Sequence, residues 1–67
     1  MELNTKIQIE VLSRITAGAR PTDVLRKDIA EALKVDGKRV DQAMALCALV
    51  QRVTSNGGHH IRYRLAD

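Results

Sequence analysis

Four polar side chains, Lys38, Arg39, Asp41 and Gln42, share a stretch whose apolar residues recur at helical spacing. Val40, Ala43, Met44 and Cys47 repeat at three and four, a core-facing stripe that leaves the polar groups on the other side. A second cationic set, His60, Arg62 and Arg64, alternates with Ile61, Tyr63 and Leu65 near the chain's end. Guanidinium, ammonium and amide groups displayed this way suit recognition of a polyanion and the base edges it carries. Catalysis finds little support. The chain has no Ser-His-Asp set, no phosphate-binding glycine loop and no H-E-x-x-H, and its 8 acidic residues form no obvious acid/base pair. An enzyme is not expected.

Each of these residues also has a plainer explanation. Lys38, Arg39 and Gln42 suit an ordinary solvated helix face, and charges such as Arg62 and Arg64 blunt the pairing of an exposed strand. The pair His59-His60 has no third ligand in view, so a turn-flanking pair is expected rather than a metal site. Cys47 lies on the apolar stripe and reads as a small buried hydrophobe, not a redox sensor. No cofactor, metal or small-molecule ligand is implied.

The distribution of charge favours the nucleic-acid explanation more than its total of +3 does. Residues 1–20 hold three basic and two acidic groups, residues 21–37 three and four, and residues 38–67 five and two. The excess therefore begins where the Lys38 helix begins. A chain of 67 residues makes one domain, residues 1–67, whose core must be aliphatic because Tyr63 is its one aromatic residue. A core of that kind at this size is marginal, which fits a partner or a dimer. No apolar run approaches the length of a membrane span, no leader is visible, and a single cysteine suits a reducing compartment. A cytoplasmic, nucleoid-associated protein is expected.

The elements that must position these groups follow from periodicity. A first helix is expected over 5–17, opened by Thr5 and Gln8 as a capping box and burying Leu3, Ile7, Val11 and Ile15, with Leu12 widening the face. Ile9 lies on the opposite side, a lone exposed apolar group or a contact for a second subunit. Gly18 and Pro21 end that helix. A brief strand at 22–25 and a helix from 26 or 27 to Leu33 come next, the helix packing on Ile29, Ala30 and Leu33. Val35 plugs the gap, Asp36-Gly37 turns the chain, and the helix carrying Lys38 runs over about 38–48. Beyond it, β-branched residues, the Asn56-Gly57-Gly58 turn signal and the 60–65 alternation make a β-hairpin. The strand at 22–25 gives that hairpin an edge partner.

This order, with D-I-A-E-A-L-K-V at 28–35, the helix opening at Lys38 and V-Q-R-V…N-G-G…R-Y-R-L at 50–65, resembles the winged helix-turn-helix family of small bacterial and phage regulators. The resemblance covers nearly the whole chain and implies an α+β, mainly α fold of three helices with a C-terminal hairpin wing. One departure stands out. The family places a Gly before the first wing strand, whereas Leu49-Val50-Gln51-Arg52 has none, so the helix either stops near Ala48 or runs straight into the strand.

The resemblance implies sequence-specific binding of double-stranded DNA by a small transcriptional regulator, with helix 38–48 in the major groove and wing 52–65 on the backbone or minor groove. Arg39 would pair with guanine and Gln42 with adenine, Asp41 would accept from cytosine N4, and Lys38 would meet phosphate. Arg62, Arg64 and His59 or His60 would contact the backbone or minor groove, and Arg26 and Lys27 the flanking phosphates. A homodimer, or cooperative binding on adjacent sites, would offset the weakness of one small contact set. The alternative is a winged-helix protein-interaction module whose basic face is incidental. Recognition of left-handed duplex fits less well, because the helix carries no aromatic residue and the wing is not rich in proline.

Overall fold

A computed structural model describes residues 1–58 and 60–67 of the chain. It is a small α+β fold of three α-helices and a three-stranded antiparallel sheet. The elements are α1 (Leu3–Ile15), β1 (Val24–Leu25), α2 (Arg26–Leu33), α3 (Gly37–Met44), β2 (Val50–Ser55) and β3 (His60–Leu65). The sheet order is β1-β3-β2, so the last strand is central. No helix among the described residues is long and apolar enough to cross a membrane.

α1 begins two residues before its expected start, with Glu2 extended and the Glu2 carbonyl accepting from the Lys6 amide at 2.9 Å. The Thr5–Gln8 capping box does not form, because Gln8 is used elsewhere: its Nε2 donates to the Ala43 carbonyl of α3 at 2.8 Å. The helix ends at Ile15, short of the expected 17, where the Thr16 hydroxyl turns back to donate to the Leu12 carbonyl at 2.8 Å. Ile7, Val11 and Ile15 are fully buried, as their spacing of four requires, while Leu3 at the frayed end is 37% exposed. Ile9 is exposed on the far side.

α2 terminates in a left-handed Lys34 (φ 57°, ψ 47°), whose neighbour Val35 donates its amide to the Ala30 carbonyl at 3.0 Å. That geometry normally selects glycine, because a Cβ crowds the following carbonyl. It turns the chain sharply enough for α3 to open three residues later. α3 buries Val40, Ala43 and Met44 but stops at Met44, four residues before the expected end. The Leu46 amide bonds back to the Ala43 carbonyl and the Cys47 amide to that of Met44, which tightens the chain out of the α-helix. The pull comes from the sheet. Val50 is buried and paired with Leu65, and the Ala66 amide donates to the Leu49 carbonyl at 2.9 Å, so the strand starts at Val50, not at residue 52.

The hairpin turns through Asn56–Gly58, where Gly57 (φ 64°) and Gly58 (φ 93°) hold a conformation that L side chains resist. This fixes Arg52 opposite Tyr63 and Val53 opposite Arg62, while β1 places Val24 opposite Tyr63. Cross-strand partners share a face. Val24, Val50, Arg52, Ile61, Tyr63 and Leu65 therefore face one way, and Leu25, Val53, His60, Arg62 and Arg64 the other. Tyr63 is fully buried in the core with Ile29 and Val40, but Leu65, at the strand end, remains 36% exposed. Cys47 is half-buried and packs against the core edge.

Candidate nucleic-acid interface

α3 sorts its polar residues by angle. At about 100° per residue, Lys38 and Gln42 lie roughly 40° apart on the side opposite the buried stripe, with Arg39 on one flank and Asp41 on the other. Lys38 and Gln42 are exposed, whereas Arg39 and Asp41 are half-buried. Among the described residues, neither Lys38 nor Arg39 forms an ion pair within the chain.

Asp41 is not part of the outward stripe. Its Oδ2 accepts from Arg26 Nη1 at 2.7 Å and from Arg52 Nη1 at 3.3 Å, and its Oδ1 accepts from the Tyr63 hydroxyl. Three elements besides α3 thus converge on one carboxylate: the start of α2, the edge strand β2 and the central strand β3. Three donors take up most of the acceptor capacity of a carboxylate that was expected to meet cytosine N4. Gly37 belongs to the same arrangement. A Cβ there would stand 2.9 Å from Arg26 Nε, so the absence of a side chain lets the guanidinium reach across to Asp41. Burial and the Asp41 carboxylate push the Tyr63 hydroxyl well above its ordinary range, because a phenolate there would lose solvent and face a negative charge.

The wing cations are arranged differently from the expectation of a free basic face. Arg62 Nη1 lies 3.5 Å and Arg64 Nη2 2.9 Å from Asp23 Oδ2, on the sheet face turned away from Tyr63. The Arg64 hydrogen bond holds the Asp23 carboxyl below its usual value, and Asp23 in turn raises the Arg64 guanidinium. Arg26, Lys27 and His60 come together with Leu25 and Ile61 around a shallow depression of about 300 Å³. His59 lies outside the described residues. The expected residues therefore fall into three groups: Lys38, Arg39 and Gln42 on α3; Arg26, Lys27 and His60 beside the α2 start; and Arg62 with Arg64 on the far sheet face.

Sequence reasoning missed Arg52 and Asp23. Arg52 was within reach, since folding the hairpin between Gly57 and Gly58 puts it opposite Tyr63 and on the side of α3. Asp23 had no local signal, because its partners are about 40 residues away along the chain and carry the opposite charge, as many residues do.

What the fold and site define is a small α+β domain with an outward cationic helix face. No family model matches this chain, and comparison with curated proteins and with solved structures found no significant match.

Proposed function

We propose that this chain is a winged helix-turn-helix protein that binds double-stranded DNA sequence-specifically as a small regulator of transcription. α3 enters the major groove and the β2–β3 hairpin lies against the adjoining backbone. The observation that carries this reading is the state of the cations. Arg14, Arg26, Arg52, Arg62 and Arg64 are each held by a carboxylate, while among the described residues Lys6, Arg20, Lys27, Lys34, Lys38 and Arg39 are not, and of these Lys38 and Arg39 are adjacent at the opening of α3 beside the exposed Gln42. The tight turn at Lys34 and the β1-β3-β2 order support it, since they present α3 beside a hairpin. In this arrangement Arg39 and Gln42 read base edges, Lys38 holds phosphate, and Arg26 with Lys27 meets the flanking backbone.

A second reading has its own support. Asp23 offsets one of the two charges of Arg62 and Arg64 and so lowers the charge on one face of the hairpin, as suits a module that docks on protein instead. Selection from a pool of random duplexes separates the two. A DNA reader enriches a short consensus that Arg39→Ala or Gln42→Ala relaxes at single positions, whereas a docking module enriches none.

A further inference from the structure

Asp41 holds two cations that flank α3. Arg26 lies across the helix opening, its Nε 2.9 Å from where a Cβ on Gly37 would stand, one residue before Lys38. Arg52 reaches the other flank, where it lines one groove with Asp41 and Gln42. The two guanidinium groups share Oδ2 but are not held alike. Arg26 bonds at 2.7 Å and its side chain is 30% exposed, whereas Arg52 stands at 3.3 Å and is 54% exposed. Arg52 is therefore the partner that can leave, because Arg26 and the Tyr63 hydroxyl still hold the carboxylate when it does.

We propose that Arg52 is a phosphate ligand held in reserve, kept off the DNA backbone by Asp41, so that Asp41 limits how tightly the α3 face holds DNA of any sequence. This role rests on the DNA-binding reading above. Phosphate contacts supply affinity without sequence information, so a cation withheld from phosphate lowers binding to arbitrary duplex. Asp41 acts in two ways here. It occupies the guanidinium, and its own charge repels any phosphate that Arg52 draws toward the flank beside Gln42. Asparagine separates charge from shape at this position, since it keeps an oxygen acceptor for the neighbouring donors and removes the negative charge.

Fluorescence anisotropy of the full chain with a random-sequence duplex, at several salt concentrations, reads the effect. Asp41→Asn is expected to bind about fivefold to tenfold more tightly near 0.1 M salt and to steepen the slope of log K against log salt by about 0.9, one added phosphate contact. Glu31→Gln makes the same change of net charge at an exposed α2 residue that forms no ion pair among the described residues, and it leaves the slope as it was. The tighter binding disappears in Asp41→Asn/Arg52→Gln. Arg52→Gln alone leaves the wild-type slope unchanged, and it carries the test by itself if Asp41→Asn loses its helical spectrum.

A slope that falls by about 0.9 in Arg52→Gln overturns the proposal, because Arg52 then already holds phosphate in the wild type. So does a folded Asp41→Asn that binds no more tightly than Glu31→Gln, or whose tighter binding survives the loss of Arg52. A wild type that binds no duplex removes the DNA reading and this role with it. A wild type whose binding depends on Arg39 but is indifferent to Asp41→Asn leaves that reading standing and ends this one.

Discussion

Asp41 occupies the flank of α3 from which it can bond Arg26, Arg52 and Tyr63, residues 15, 11 and 22 positions away. No spacing rule within one element reports such a meeting, so along the sequence it looks like one more polar residue on a helix. The consequence of losing it is large. Asp41→Ala leaves a half-buried guanidinium and a buried hydroxyl without their acceptor, and the expected loss is about 2–3 kcal/mol of unfolding free energy in urea titration. Lys38→Ala, on the outward stripe, should change stability by less than about 0.5 kcal/mol. Tyr63 adds a pH dependence whose sign is fixed. Its folded-state value lies above the ordinary 10.0, so above pH 10 the unfolded chain releases the phenolic proton while the folded chain keeps it. The stabilisation is full below pH 10 and is lost as pH climbs toward the folded value. Thermal melts from pH 8 to 11 should show wild type losing more stability than Tyr63→Phe, which cannot ionise there. Equal losses would separate the hydroxyl from the fold's alkaline limit.

At the scale of elements, the apolar periodicities identified the three helices and the hairpin because burial enforces them. Ile7, Val11 and Ile15 must share a face, and Tyr63 must alternate with Arg62 and Arg64. The ends escaped because tertiary bonds set them. Gln8 leaves its own helix start to hold the Ala43 carbonyl, and Val50 draws the chain out of α3 in a segment, Ala45–Leu49, with good intrinsic helix propensity. The turn between α2 and α3 carries a penalty that can be relieved. Lys34 sits at φ 57°, where glycine has no Cβ to crowd. Lys34→Gly should stabilise the fold by about 0.5–1 kcal/mol, raising the melting midpoint by several degrees for a domain of this size. A fall in the midpoint would mean that Lys34 contributes more through its side chain than its backbone costs.

Across the whole molecule, Asp41 ties arginines of α2 and β2 to α3 and Asp23 holds two arginines of β3, while among the described residues the cations at the start of α3 are two of several that pair with no carboxylate. The charge excess after residue 37 was visible in the sequence, but its division into structural and unpaired groups was not, since Asp23 and Asp41 meet their arginines only in the folded chain. That division is what the DNA-binding proposal rests on. It is tested most directly by fluorescence anisotropy with a random duplex at several salt concentrations, comparing wild type with Arg39→Ala and Arg62→Ala. Phosphate binding makes log K fall linearly with log salt at about −0.9 per phosphate neutralised. A DNA-reading α3 predicts a steep slope, affinity lost in Arg39→Ala, and a smaller effect for Arg62→Ala because Asp23 already holds that guanidinium. No binding by the wild type even at low salt, or a slope and affinity indifferent to Arg39, would contradict it.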